Sequence, residues 1–370
     1  MKILIIGGHL TPALAVMESF PKGTEIVYVG RKHALEGDSA FSLEYQTITK
    51  LKILFEEIKT ARLQRKFTFH TIPSLMHLPL GFVSAFSILN KFKPDVVVGF
   101  GGYVSLPIGV AAKFLGIPLV IHEQALKPGL ANKILARFAD KICVSWEKTL
   151  PFFPKGKVVF TGLPIRKFQV SSFKFQVSDK LPSIYITGGS LGSHFINTLI
   201  EASLKELLIN FSIIHQTGDA KEYRDFDRLN KLKEGLPDKL KERYMLEKFV
   251  DPKDVGSIIQ QSSLVVSRSG INTMTELIMI EKPALLIPLP FLEEQIKNAE
   301  FFKSRGFGET IFQKNAASNT ASLFIKTINK IFNSLDLYKK NLHNSKYLIR
   351  KDAASNIIKV IEDVIKSKKK

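Results

Sequence analysis

Residues 264–298, LVVSRSGINTMTELIMIEKPALLIPLPFLEEQIKN, decide how the rest of the chain is read. The apolar run 264–267 has the length of a buried parallel strand, Arg268-Ser269-Gly270 is a turn, and residues 272–280 have helical spacing. In that order the free N–H groups and positive dipole end of the helix face the carboxyl end of the strand, where open α/β sheets bind ligands. The stretch therefore reads as an anion seat. Glu276 follows Asn272 by one helical turn, and a carboxylate there can accept two hydroxyl hydrogen bonds from a vicinal diol such as a ribose. A nucleotide fits these groups; the alternative is a surface helix whose Glu276 only favours the N-terminal dipole. A second apolar run, 284–288, leads into Glu293-Glu294-Gln295 and Asn298, the mixed donors and acceptors that sugar hydroxyls need.

The same pattern opens each half of the chain. Residues 2–6 read as a buried strand, Gly7-Gly8-His9 as a turn, and a helix starts near Pro12, a tolerated first-turn position for proline. Residues 183–187 repeat the strand, followed by Gly188-Gly189-Ser190-Leu191-Gly192-Ser193 and a helix. Two such openings imply two Rossmann-like domains facing one another. Further strands are expected at 25–29, 118–121, 139–145, 158–161, 211–216 and 245–249. One more, in residues 94–103, runs into a glycine turn, Gly101-Gly102-Tyr103. The strand 118–121 ends in His122-Glu123-Gln124, three polar residues where a sheet presents its ligand-binding edge. A dinucleotide fingerprint would put G-x-G-x-x-G after the first strand and an acid at the end of the second, where this chain has Gly7-Gly8-His9 and Gly30, which counts against a dehydrogenase. Asp225 and Asp227 look like an acidic pair but sit among charged residues, as on a solvated helix face. Residues 167–180 read as a linker, and 354–365 carry one helical apolar stripe.

Length and composition narrow the class. With 370 residues the chain has room for two domains, and its one cysteine, Cys143, excludes an internal disulfide and a cysteine-based metal cluster. No metal site and no cofactor is expected. Residues 96–112 form the longest apolar stretch, but glycines, Ser105 and Pro107 interrupt it, so no transmembrane segment is expected. The formal net charge of +19 favours an anionic partner. Residues 50–93 mix lysine and arginine with phenylalanine and leucine, which suits contact with an anionic membrane surface, best at 73–79. Nothing resembles a nucleic-acid reading module, so no nucleic acid is expected.

Several ordered motifs resemble the MurG family of bacterial glycosyltransferases over nearly the whole length. They are DVVVGFGGYVSL at 95–106, LGIPLVIHEQA at 115–125, PGLAN at 128–132, Gly188-Gly189-Ser190, HQTG at 215–218, and the run from Ser267 to Pro290. The resemblance implies an α/β GT-B fold, two Rossmann-like domains with a deep interdomain cleft. The first would span 1–165 and bind acceptor and membrane, joined by the returning helix 346–370; the second, 166–345, would bind the UDP-sugar. It implies transfer of N-acetylglucosamine from UDP-N-acetylglucosamine to the 4-hydroxyl of an undecaprenyl-pyrophosphoryl-muramyl-pentapeptide, with inversion, for peptidoglycan synthesis at the cytoplasmic face of the plasma membrane. The donor would meet Arg166, Gly189, Ser190, Val250, Arg268, Ser269, Gly270, Thr273, Glu276, Glu294, Gln295 and Asn298. The acceptor would meet Gly7, Gly8, Gly101, Gly102, Tyr103, Gln124 and Asn132. His9 would be the base, with His122 or Glu123 as the alternative.

The chain departs from the family in places. The first loop, GGTGGH in the family, is here Gly7-Gly8-His9, three residues shorter. Leu163, Leu191 and Ala125 replace Asn, Gln and Asn, and Glu294 replaces one of two paired glutamines. The competing readings are a UDP-N-acetylglucosamine 2-epimerase of the same architecture, and a weakened relative that binds UDP-sugar without turning it over.

Overall fold

Apolar runs buried on both faces pair side by side, because a parallel strand covered by helices on each side has no polar face. The computed structural model describes residues 1–33, 41–58, 78–165, 181–189, 191–218, 222–313 and 320–369. Contacts divide the chain into two units, Met1–Arg166 with Arg350–Lys370, and Lys167–Ile349.

The first unit is built on β1 (Lys2–Ile6), β2 (Glu25–Gly30), β3 (Leu54–Glu57), β4 (Val96–Gly99), β5 (Leu119–Glu123), β6 (Lys141–Val144) and β7 (Val158–Phe160). Its strands lie in the order β3-β2-β1-β4-β5-β6-β7, every pair parallel. The second unit carries β8 (Ser183–Thr187), β9 (Ser212–Gln216), β10 (Tyr244–Glu247), β11 (Leu264–Ser267), β12 (Ala284–Leu286) and β13 (Gly308–Thr310). Their order is β10-β9-β8-β11-β12-β13, again all parallel. Both sheets thus have the doubly wound order, in which the strand sequence reverses between β1 and β4 and between β8 and β11. Ligands bind outside the carboxyl ends of the strands at such switch points.

Register sets what meets there. Ile6 pairs with Gly99, so the turn after β1 lies beside the turn after β4. Thr187 pairs with Ser267, so Gly188 lies beside Arg268. β3 and β13 were not expected from the sequence. β3 is an edge strand with no buried residue, exposed at both ends, and β13 has three residues, too few for a periodic signal.

The helix Ala353–Lys369 belongs to the first unit. Ile357, Ile358, Ile361, Val364 and Ile365 join the core formed by Ile3, Ile5, Val96 and Val98, each buried side chain worth roughly 1.5–3 kcal/mol. Lys346, just before it, stays with the second unit through an ion pair to Glu281 at 2.6 Å. No helix among the described residues is long and apolar enough to cross a membrane. The expected linker 167–180 and residues 73–77 of the membrane candidate 73–79 lie outside the described residues.

Candidate functional site

In the second unit the turn after β8 is folded tightly against the turn after β9. Gly192 has φ +79°, and a Cβ there would lie 1.9 Å from the carbonyl oxygen of Thr217, so only glycine fits. Ser193 follows as N-cap of the helix His194–Asn210, its hydroxyl accepting from Ile196 N at 3.4 Å. Arg268, from the end of β11, donates to Ser193 Oγ at 2.6 Å. Its other nitrogen donates to Ile287 O at 3.0 Å, Pro288 O at 3.3 Å and Gln313 Oε1 at 3.1 Å. Burial lowers the guanidinium to about 10, which leaves it charged at neutral pH. All four acceptors are neutral, so the side chain is fixed while, among the described residues, its positive charge has no carboxylate against it.

The helix Ile271–Met279 begins beside this charge. Its N-cap is Gly270, and no side chain caps it. Glu276 is partly buried on that helix, and burial pushes its carboxyl up to about 7. Val250 is buried, Thr273 and Glu294 are partly buried, and Gly189 is exposed, its N–H donating to Thr187 Oγ1 at 3.0 Å. A cavity of about 810 Å³ is lined by Gly188, Ser193, Arg268, Leu289, Gln295 and Gln313 among others. Arg166 and Ser190 lie outside the described residues.

Two expected sugar contacts also have structural work. Asn298 is 1% exposed and donates to Ser269 O at 3.0 Å; Ser269 Oγ donates to Gln295 O at 2.8 Å; Gln295 Oε1 accepts from Leu289 N at 3.0 Å. Together they hold the Arg268-Ser269-Gly270 turn against the helix Glu293–Ser304. One member of the acidic pair differs from its expected solvated setting, while Asp227 is exposed as expected. Asp225 is 4% exposed, accepting from His194 Nδ1 at 2.8 Å, Asn197 Nδ2 at 2.8 Å and Arg228 Nη2 at 2.8 Å, and these donors hold its pKa down against burial. Asn197 also donates to Thr217 O at 3.1 Å and accepts from His215 Nε2 at 3.0 Å. His215, held down to about 3 by burial, accepts through Nδ1 from Tyr244 OH at 2.9 Å. This buried chain braces the glycine turn from behind. Asp225 reads as a surface residue in sequence because two of its partners, His194 and Asn197, arrive from another helix.

In the first unit the two glycine turns touch. A Cβ on Gly8 would lie 2.2 Å from Gly101 O. His9, partly exposed, donates from Nδ1 to Phe100 O at 2.7 Å; the carbonyl can only accept, so Nε2 carries the lone pair of the neutral ring. Tyr103 lies under the Arg31 guanidinium at 5.1 Å, and Gly102 is partly buried beside it. His122, Glu123 and Gln124 are buried, not open to a ligand. Burial holds His122 down at about 3, and its Nε2 lies 3.0 Å from Ser145 Oγ. Glu123 accepts from Ala125 N at 2.9 Å, Gly129 N at 3.0 Å and Asn132 Nδ2 at 2.9 Å. The carboxylate is thus committed to closing the loop 125–132. Gln124 Oε1 and Asn132 Oδ1 are buried without a hydrogen-bond partner among the described residues. Sequence reading missed Glu44, whose Oε1 accepts from Gly8 N at 3.0 Å. Thirty-six residues separate them, and no pattern links the two.

Residues 6–144 match the Glycosyltransferase family 28 N-terminal domain, and residues 183–357 match the C-terminal domain of that family. The UDP-N-acetylglucosamine--N-acetylmuramyl-(pentapeptide) pyrophosphoryl-undecaprenol N-acetylglucosamine transferase of Treponema denticola is 36% identical over 323 residues, covering 82% of this chain and 81% of the relative. The enzyme of the same name from Lachnospira eligens is 32% identical over 377 residues, covering 98% and 99%. Among solved structures, Acinetobacter baumannii MurG superposes with a TM-score of 0.72 at 24% identity, covering 98% of this chain and all of that one. The UDP-GlcNAc 2-epimerase from Neisseria meningitidis bound to UDP-GlcNAc gives 0.66 at 16% identity, covering 98% and 100%. Two doubly wound sheets, each with a glycine turn at its switch point, are the architecture of GT-B glycosyltransferases. Within that class the chain belongs to the MurG family.

Proposed function

We propose that this chain transfers N-acetylglucosamine from UDP-N-acetylglucosamine to the 4-hydroxyl of the muramyl sugar in an undecaprenyl-pyrophosphoryl-muramyl-pentapeptide, forming the disaccharide lipid of peptidoglycan synthesis. The kinship with the named transferases supports the reaction, and one observation supports the donor side most. The Arg268 guanidinium is held by four neutral acceptors beside the uncapped start of the helix Ile271–Met279. An ionic group that is fixed, and uncompensated among the described residues, in a half-buried place is arranged for a ligand of opposite charge. The diphosphate is that ligand. Glu276, further along the same helix, receives the ribose hydroxyls, and Arg166 and Ser190 add contacts to the phosphates.

The reaction is a single displacement. The acceptor oxygen attacks the anomeric carbon as the bond to the UDP oxygen breaks, and the configuration inverts. Arg268 and the helix N-termini take up the charge that develops on the diphosphate, the kind of preorganised electrostatics that lowers such barriers most. His9 takes the hydroxyl proton on Nε2, because its Nδ1–H is already given to Phe100 O. Glu123 and His122 are positioning residues, since both are buried and bonded to the loops around them.

The protein works as a peripheral enzyme on the cytoplasmic face of the plasma membrane. Leu80, Val83, Phe114, Leu130 and Ile134 are exposed on three helices, Leu78–Phe92, Ser105–Phe114 and Leu130–Leu135, that pack in sequence, with Lys113 and Lys133 exposed on them. Apolar contact and attraction to anionic lipid add at such a surface. The test is to incubate purified protein with labelled UDP-N-acetylglucosamine and the muramyl lipid. Label in the disaccharide lipid is expected; epimerised donor with unchanged lipid would overturn the reading.

A further inference from the structure

Glu44 sits in the first turn of the helix Leu43–Lys50, which Ser42 caps by accepting from Tyr45 N at 3.1 Å. A first-turn glutamate ordinarily faces its own helix dipole. Glu44 reaches to the neighbouring strand ends instead, where Oε1 accepts from Gly8 N at 3.0 Å and from the hydroxyl of buried Tyr28 at 3.1 Å. Glycines leave the room: a Cβ on Gly7 would lie 2.8 Å from Oε1, and one on Gly30 3.1 Å from Oε2. Gly8 is the last residue before the N-cap of the helix Leu10–Met17, and His9 in that N-cap gives the helix no side-chain cap. Backbone N–H groups at such a place, at the switch point of a doubly wound sheet, receive anions. In the corresponding turn of the second unit, the described residues put the Arg268 cation against Ser193. In the first, the chain's own carboxylate fills the seat.

We propose that Glu44 is an internal competitor for an anionic ligand at the first glycine turn, so that a pyrophosphate group binds Gly8 only when the carboxylate has left it. Resting on the acceptor reading above, this makes Glu44 a determinant of acceptor affinity and ties it to the shortened loop Gly7-Gly8-His9.

The probe is inorganic pyrophosphate, titrated calorimetrically into the full chain with UDP held at saturation to occupy the donor site. Glu44→Ala vacates the seat and is expected to bind pyrophosphate roughly 10-fold more tightly than wild type, the scale of one charge-assisted hydrogen bond. Glu44→Gln keeps the oxygen but not the charge and is expected to fall between. Tyr28→Phe, which removes one restraint on the carboxylate, shifts affinity the same way by less. With the muramyl lipid, KM for the acceptor falls in the same order while KM for UDP-N-acetylglucosamine stays constant. Equal or weaker pyrophosphate binding by Glu44→Gln and Tyr28→Phe, with melting curves like wild type, would overturn the proposal; these two variants decide if Glu44→Ala does not fold. The titration needs no turnover. Tighter pyrophosphate binding without lipid product would therefore remove the transferase reading alone, and lipid product with unaltered pyrophosphate affinity would remove only the role of Glu44.

Discussion

The turn after β1 and the turn after β8 are built alike and charged oppositely. Each joins a buried strand to a helix at the switch point of a doubly wound sheet, and each depends on glycine because another backbone comes within contact distance. Around the second, the fixed charge is Arg268, held by neutral acceptors; around the first, it is Glu44, on Gly8 N. In the reading proposed above, one backbone design is an open seat for a diphosphate in one half and a guarded one in the other. Fold places the seat; side chains arriving from other elements decide its sign.

The bluntest way to break this contrast is to crowd each turn. Gly192→Ala would thrust a Cβ against Thr217 O at 1.9 Å and strain a backbone at φ +79°. Loss of about 3 kcal/mol or more of stability is expected, with UDP binding abolished in a calorimetric titration. Gly8→Ala meets Gly101 O at 2.2 Å. It should abolish lipid product yet leave UDP binding intact; loss of UDP binding in Gly8→Ala as well would end the division of labour. Next in size, His9→Ala should lower kcat by about 10² to 10⁴ with UDP-N-acetylglucosamine affinity unchanged, read by steady-state kinetics beside a binding isotherm. Wild-type turnover would remove His9 as the base.

Smaller effects sharpen the donor side. Glu276→Ala should weaken UDP-N-acetylglucosamine binding by roughly 10- to 100-fold, since hydrogen bonds to a charged group contribute about 1.5–3 kcal/mol. The carboxyl also carries a pH signature. Its folded value is about 7 against an ordinary 4.5, so the folded state keeps a proton that the unfolded state releases between those values. Stability therefore falls as pH rises across that window, while affinity for UDP-N-acetylglucosamine rises as the carboxylate forms near 7. In Glu276→Gln both trends should flatten, measured by denaturant titration and by binding isotherms from pH 5 to about 8. A wild-type affinity with no dependence on pH would place the ribose elsewhere.

Much of the fold was legible because it rests on short-range pattern. The strand, glycine and helix openings at 2–17 and 183–210, and the strand 264–267 with its turn, are set by apolar runs and turn residues close in sequence. β3 and β13 escaped notice, being an edge strand of mixed exposure and a three-residue strand whose pairing depends on a neighbour already in place. The site was legible in position and less so in role. Asn298, Glu123 and His122 were expected to face ligands, and Asp225 to face water. All four are buried, each held by partners that only the folded chain brings near.

The amino-acid order alone yields two doubly wound domains, glycine turns at their strand ends, and Arg268, Glu276 and His9 near them. Periodicity and backbone preference act over a few residues and can be read without knowing the rest. Which charge guards each turn depends on contacts between residues far apart, Glu44 with Gly8 and Arg268 with Ser193. Electrostatics and hydrogen bonds act through space, so their pairing exists only once the sheets have set the register.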